Sequence, residues 1–225
     1  MKKDCIDIIR ILINESAEIK FAKFVSFNSY DIIQNRVDFN GELKIVLEEA
    51  LDLRSKYNLP FWDCFNLCLF NKKIKNFSFL RQLKFHNEKA DEILIEKEEV
   101  NSFLSDIDLE DYLTFNSKVI LKNDQIKHFP LLDFHIPISI ENEKISVQII
   151  KELGLKGYLL ESGKSYHFYG NELITEDELI NILSYSLLFA PIIDRAWLSH
   201  QLIERSCCLR ISKKYSKIPK FICEI

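Results

Sequence analysis

Three short segments of the chain combine residue types that can do chemistry. In the first segment, Asp133 and His135 stand two residues apart in a predicted strand, so both side chains point to one face of that strand. A carboxylate and an imidazole on one face can ligate a divalent cation. The same alternation is also typical of a strand whose polar side meets water, and spacing alone leaves both interpretations open.

The second segment is a predicted hairpin turn, Ser162-Gly163-Lys164, which is followed by His167. A hydroxyl, backbone N–H groups and a lysine cation in one turn can bind the oxygens of a triphosphate. The run Gly-Lys-Ser is not a P-loop, because the preceding glycine, Gly157, is one residue too far away and no helix follows. An ordinary surface hairpin is the alternative interpretation.

The third segment begins at Pro191 and contains Asp194, the first residue of a predicted helix. An aspartate there can be a site residue or simply a helix N-cap. Seven basic residues concentrate toward the C-terminus: Arg195, Arg205, Arg210, Lys213, Lys214, Lys217 and Lys220. Such a patch can contact phosphates, although a solvated basic end is an equally common explanation.

The elements that position these segments are predicted to alternate between strands and helices. Apolar patterns predict strands at 118–121, 129–136, 157–161, 165–169 and 208–212, and helices at 143–153, 175–189 and 194–206. Strand, helix, hairpin, helix and strand make an α+β layout in which helices pack on a sheet.

Before residue 115 the patterns are mainly helical. Apolar periodicity predicts amphipathic helices at 4–14 and 41–57, and the acidic run from Glu92 to Glu99 indicates a solvated helix face. The sequence therefore divides into a mainly helical region, residues 1–115, and an α+β core, residues 116–225.

Composition limits the class of protein. The 225 residues are 47 % hydrophobic and 28 % charged, which is enough to bury a sizeable core. The net charge of -4 gives no global basic field, so it argues against non-specific coating of nucleic acid and leaves a local basic patch open. No secretory leader is recognisable, and no stretch reaches the roughly 18 apolar residues of a membrane helix. We expect a cytoplasmic protein without membrane contacts.

The six cysteines are expected to stay reduced in that compartment. Cys64 and Cys68 are four residues apart among aromatic residues, so they share one helical face. A zinc site is one interpretation of this pair, and a buried structural role, in which cysteine behaves as a small hydrophobe, is the other.

The order of the three segments resembles that of the archaeo-eukaryotic primases and their primase-polymerase relatives. Asp133 matches the first acid of the family's first motif, Ser162, Gly163 and His167 match its second motif, and Asp194 is the candidate for its third acid. The resemblance covers about half of the chain. It departs from the family at His135, which stands where the family has its second acid.

This resemblance implies a primase-type, RRM-like sheet core with flanking helices and a divalent metal ion, Mg²⁺ or Mn²⁺. It implies a nucleotidyltransferase that synthesises or extends a primer from nucleoside triphosphates on a nucleic-acid template. In that reading the metal ligands are Asp133, His135 and Asp194, the nucleotide-binding residues are Ser162, Gly163, Lys164 and His167, and the phosphate contacts are Arg205 and Arg210.

Because a neutral imidazole is a poorer ligand for Mg²⁺ than a carboxylate, His135 leaves a second interpretation open. The chain can be a catalytically inactive nucleic-acid or nucleotide-binding module. A third possibility is an interaction protein whose aromatic segment, residues 61–70, packs on a partner.

Overall fold

The computed structural model describes residues 3–27, 41–57, 59, 61–73, 90–108, 112–214 and 216–225. The chain divides into two compact units, of which the larger combines Met1–Asn28 with Ala90–Ile225 and the smaller is Ser29–Lys89. No helix in the described ranges is both long and apolar enough to cross a membrane.

The described part of the chain contains both helices and strands, with two short 3₁₀ turns at Lys97–Glu99 and Leu187–Phe189. In chain order they are α1 (Cys5–Glu15), β1 (Ile19–Phe27), α2 (Glu42–Tyr57), α3 (Phe61–Asn71), β2 (Ala90–Glu96), α4 (Val100–Asp106), β3 (Tyr112–Leu121), β4 (Ile126–His128), β5 (Leu131–Asp133), α5 (Ile140–Glu152), β6 (Gly157–Glu161), β7 (Tyr166–Gly170), α6 (Glu176–Ser186), α7 (Arg195–Glu204), β8 (Cys208–Arg210) and β9 (Lys220–Glu224). The predicted α+β class is confirmed.

Helix α1 forms where the sequence predicts it. Asp4 caps its first turn by accepting from the backbone N–H groups of Ile6 and Asp7, and the Asp7 side chain completes a capping box. The apolar residues at positions 5, 8, 9 and 12 recur at helical spacing and are all buried. The helix therefore contributes a continuous apolar stripe to the core of the larger unit.

The first sheet has the strand order β2-β1-β3-β4, and β8 also pairs with β3. All pairings are antiparallel, with Phe24 of β1 opposite Ile93 of β2 and Phe115 of β3. Strand β3 is long enough to pair with β8 along its first half and with β4 along its second half. Residues on both sides of position 115 share this sheet, so the larger unit begins well before the predicted boundary.

The acidic run from Glu92 to Glu99 was predicted to be a helix face, and this prediction is wrong. Its first part lies on the edge strand β2 and its last part in a 3₁₀ turn. The Glu92 carboxylate pairs with the amine of Lys23 at 2.5 Å. Cross-strand pairing, which leaves no local signature in the sequence, overrides the helical propensity of glutamate here.

The second sheet has the order β5-β7-β6-β9 and carries the predicted hairpin, which is confirmed as β6 and β7. Gly157 begins β6 with a φ of +154°, and a Cβ built there would lie 2.1 Å from the Tyr169 carbonyl oxygen. Only glycine allows the two strands to approach this closely. In the same sheet β5 pairs with β7, which sets Asp133 directly opposite His167.

Buried aromatic rings connect the two sheets. The Phe115 ring lies 5.6 Å from that of Phe24 and 6.5 Å from that of Tyr169, measured between centroids. Phe115 and Phe24 belong to the first sheet, whereas Tyr169 belongs to the second. The larger unit therefore has one continuous core between its sheets.

In the smaller unit, α2 and α3 pack through a separate apolar cluster that includes Phe61, Phe65 and Val46. Cys64 and Cys68 belong to this cluster and are 1 % and 4 % exposed. Burial raises the pKa of both thiols. Both cysteines thus lie in the core, as the structural interpretation of this pair predicts.

Candidate functional site

Backbone pairing brings the first and third predicted segments together. The amide of Asp194 donates to the carbonyl oxygen of Asp133 at 2.9 Å, and the amide of His135 donates to that of Ile192 at 2.7 Å. Phe134 forms a β-bridge with Ile193 between these two bonds. Residues 57 to 61 positions apart in the chain are therefore neighbours at the end of β5.

Cross-strand pairing brings the second segment to the same place. His167 lies opposite Asp133 in the β5–β7 ladder, and its Nε2 is 3.6 Å from the Asp133 Oδ1. The side chain of His167 is 7 % exposed and that of Asp133 is 27 % exposed. The Nδ1 of His167 is buried and has no hydrogen-bond partner among the described residues. Asp133 thus meets both His167 and Asp194.

Asp194 and His135 form a second carboxylate–imidazole pair. The His135 Nδ1 is 3.5 Å from the Asp194 Oδ2. The other carboxylate oxygen, Oδ1, accepts from the Trp197 amide at 3.0 Å, so Asp194 is also the N-cap of α7. The N-cap interpretation is confirmed, and the cap fixes the carboxylate in place beside His135.

The two carboxyl groups have opposite electrostatic environments. Burial and then the negative charge of Asp194 raise the pKa of Asp133 to about 8. Burial also disfavours ionisation of Asp194, but hydrogen bonds from His135 and from the Trp197 amide outweigh it and lower its pKa. At neutral pH, Asp133 therefore holds a proton while Asp194 is ionised.

His167 is held in its neutral form. Burial, followed by the charges of Arg210 and Lys214, lowers the pKa of His167 well below its usual value. A protonated Asp133 and a neutral His167 thus face each other, and neither carries charge in the absence of a bound ligand.

The hairpin turn is tied to the end of β5. The Ser162 amide donates to the Ser165 carbonyl at 2.8 Å, and Gly163 adopts a φ of +113° between them. The Ser165 hydroxyl donates to the Phe134 carbonyl oxygen, one residue after Asp133. The exposed Lys164 extends from this turn. Ser165 was not predicted as a site residue, although its position two residues before His167 puts both on one side of the strand.

The two predicted phosphate contacts, Arg205 and Arg210, lie in different surroundings. Arg210 donates through Nη2 to the Ser162 carbonyl oxygen at 2.7 Å, which places it against the hairpin turn. Arg205 instead donates to Glu176 at 2.6 Å and lies 3.7 Å from Asp177, at the start of α6. The structure therefore brings Arg210, and not Arg205, into contact with the other predicted site residues.

Lys214 is a neighbour of the site that the sequence indicates only as one member of the basic C-terminal patch. The residue is exposed. Its charge lowers the pKa values of both Asp133 and His167, which shows that it lies within electrostatic reach of the pair. Its backbone pairs with that of Lys217 in a short closed loop, with N···O distances of 2.9 and 3.2 Å.

Within the described ranges, no group of three or more His, Cys, Asp or Glu side chains has the arrangement of a metal-binding cluster. The donors around β5 nevertheless fit a divalent cation chemically. Asp133 and Asp194 are adjacent, and the proton that Asp133 retains at neutral pH removes the charge repulsion between the two carboxyl groups. A cation can take the place of that proton, and the imidazole of His135 suits Mn²⁺ better than Mg²⁺.

A groove of about 350 Å³ lies elsewhere on the larger unit, between the end of α5 and helix α6. Its lining is mostly apolar and includes Leu153, Leu155, Ile182 and Tyr185. The acid and imidazole side chains described above are not among its lining residues.

A family model described as AEP-like, archaeo-eukaryotic primase 1D-like, matches residues 93–222, which is more than half of the chain and extends from β2 into β9. No curated protein and no solved structure is significantly similar to the chain.

Proposed function

The chain belongs to the archaeo-eukaryotic primase-like family, and on this premise we propose that it is a divalent-metal-dependent nucleotidyltransferase that synthesises or extends a primer on a nucleic-acid template. The proposal rests on one observation, which is that Asp133, His167 and Asp194 lie next to one another. These residues are distant in the sequence and come together through the 2.9 Å bond between Asp194 and Asp133 and the cross-strand pair of Asp133 and His167.

In this proposal Asp133 and Asp194, with His135, hold the divalent cation. When bound, such a cation activates the primer 3′-hydroxyl and offsets the negative charge of the pyrophosphate leaving group. Asp194 is suited to this role because the Trp197 amide fixes one of its oxygens and leaves the other toward His135. Asp133 is suited because its pKa of about 8 lies close to neutral pH, so a bound cation can displace its proton.

The hairpin turn holds the triphosphate in this proposal. The Ser162 hydroxyl and the Gly163 backbone N–H are the donors of an anion-binding turn in this proposal, and Lys164 offers a cation at its tip. His167 lies two residues after Ser165, whose carbonyl closes the turn, and directly opposite Asp133 in the β5–β7 ladder. Its neutral imidazole can donate a hydrogen bond to a phosphate oxygen or to Asp133.

A primer synthesis and extension assay, run with Mg²⁺ and separately with Mn²⁺, tests the proposal. We expect incorporation with the wild-type chain, stronger with Mn²⁺, and loss of incorporation in Asp133→Ala and Asp194→Ala. Asp106→Ala, an exposed aspartate at the end of α4, is the matched control and should keep full activity. No product with either metal, or product that survives Asp133→Ala, would contradict the enzymatic proposal.

A second candidate function, a nucleotide- or nucleic-acid-binding module without catalysis, has one observation in its favour. His135, in place of an acid, already pairs with Asp194 at 3.5 Å, so one carboxylate has a partner before any cation binds. Binding of nucleoside triphosphate or single-stranded nucleic acid, measured by calorimetry and without incorporation, would select this candidate over the enzyme.

A further inference from the structure

Arg210 joins the two sheets of the larger unit next to the site. Its backbone belongs to β8 and pairs with Thr114 of β3 in the first sheet. Its Nη2 donates to the Ser162 carbonyl oxygen at 2.7 Å, in the turn that connects two strands of the second sheet. The side chain therefore spans the junction between the sheets at the hairpin.

The other end of the same guanidinium holds the C-terminal loop that carries Lys214. Arg210 Nη1 donates to the carbonyl oxygen of Ser212 and, at 3.3 Å, to that of Lys217. These two acceptors flank Lys214, whose own backbone closes the loop by pairing with Lys217. One side chain thus fixes both the hairpin turn and the lysine loop.

From these contacts we infer that Arg210 is a positioning residue, which holds the hairpin turn and the Lys214 loop in place so that Lys164 and Lys214 can contact the phosphates of a ligand. This inference rests on the proposed function, because it assigns a role in the same nucleotide site. It differs from the sequence-based expectation, in which Arg210 itself contacts phosphate. Both terminal nitrogens of the guanidinium already donate to backbone carbonyl oxygens, three in all.

The geometry of the contacts makes arginine specific for this role. A guanidinium is a flat fork with donors that point in fixed and divergent directions, so it can reach acceptors on two separate segments. The ammonium group of lysine is a compact point charge and cannot span them in the same way. Arg210→Lys therefore keeps the charge but loses the bridge.

Calorimetric titration with ATP and dATP in the presence of Mn²⁺ tests the inference, together with the backbone amide resonance of Gly163 in the ligand-free protein. We expect both Arg210→Lys and Arg210→Ala to weaken binding by about tenfold, roughly the cost of reordering one or more turn residues on binding. We also expect both to shift the Gly163 resonance before any nucleotide is added. Arg10→Lys and Arg10→Ala are the matched controls, since Arg10 lies on α1 and donates to the exposed Ser105 of α4; they should change neither quantity.

Near wild-type affinity in Arg210→Lys with a loss in Arg210→Ala would show that charge alone matters and would overturn the inference. An unshifted Gly163 resonance in both variants would overturn it as well. Failure of the wild-type chain to bind either nucleotide would instead contradict the proposed function, and the Gly163 resonance would still report whether Arg210 holds the turn. Thermal unfolding of each variant, followed by circular dichroism, identifies a general loss of folding, and Arg210→Lys is the variant that retains the stem and charge.

Discussion

Replacement of Asp133 by asparagine is expected to stabilise the protein above neutral pH. The structure raises the pKa of Asp133 from 3.8 to about 8, so the folded chain binds a proton that the unfolded chain releases between these values. Stability that depends on this proton is fully present below pH 3.8 and is lost as the pH rises through 8. Asparagine has nearly the same shape and never ionises, so it avoids the loss.

The magnitude follows from the size of the shift. At about 1.4 kcal/mol per pH unit, a rise from 3.8 to about 8 corresponds to an upper limit of roughly 6 kcal/mol in the free energy of unfolding. Solvent reaches 27 % of the Asp133 side chain and screens part of this cost. We therefore expect Asp133→Asn to exceed the wild-type free energy of unfolding by about 2 kcal/mol at pH 8, with a smaller gap at pH 5.

Urea unfolding from pH 5 to pH 9 in the presence of EDTA measures this gap, because the chelator removes any cation that would stabilise the ionised carboxylate. In a Trp62→Phe background, tryptophan fluorescence comes from Trp197 and follows the unfolding of the larger unit. Asp106→Asn is the matched control and should show no pH-dependent difference. A variant that is less stable than the wild-type chain at pH 8, or a gap that does not change with pH, would refute the reasoning.

Three further predictions address the ligands and the hairpin. His135→Asp should raise the affinity for Mg²⁺ relative to Mn²⁺ by about tenfold in calorimetric titrations, because it restores an anionic oxygen ligand; an unchanged ratio would remove His135 from the cation site. Lys214→Ala should weaken binding of a single-stranded oligonucleotide and lower the slope of log K against log salt by about 0.7, whereas Lys122→Ala should not. Gly157→Ala should cost at least about 3 kcal/mol in urea unfolding, since its Cβ would lie 2.1 Å from a carbonyl oxygen; Gly163→Ala, with open space around it, should cost less.

Elements with local signals could be predicted from the sequence. The capping box of Thr175 and Glu178 marks the start of α6 as expected, with the Thr175 hydroxyl accepting from the Glu178 amide at 3.2 Å. The hairpin of β6 and β7 and the end of α5 at Gly154, whose φ is +69°, follow from turn and cap chemistry in the same way. These signals depend on residues within a few positions of each other.

Strands β1 and β2 lacked such a signal. Strand β1 pairs with both β2 and β3, and it is buried at consecutive positions from Ala22 to Val25, so it lacks a simple alternation of buried and exposed residues. Lys23 sits in the middle of it at 9 % exposure, which is possible because Glu92 on the neighbouring strand pairs with its amine. The pairing joins segments about 70 residues apart, so it cannot be predicted from the sequence of either segment alone.

The same limit applies to the candidate site. Residue types and the family resemblance indicated Asp133, His167 and Asp194, but their contacts depend on backbone pairing between distant segments. The role of Arg210 could not be predicted, because its acceptors are backbone carbonyls and every residue has one. Arg205 has the same side chain and is nearby in sequence, yet it contacts acids on α6.

The polar groups at the β5–β7 edge oppose folding more than they support it. The buried Nδ1 of His167 has no hydrogen-bond partner within the described ranges, and an unsatisfied buried polar atom costs about 1–3 kcal/mol. Asp133 adds the cost of a carboxyl group forced to keep its proton. A chain selected only for stability would replace both groups with apolar residues of similar size, as it has at Leu132 and Phe168 one pair along the same strands. Such local costs persist where function needs them, and a ligand with both a cation and phosphate oxygens would satisfy the carboxyl pair and the imidazole together.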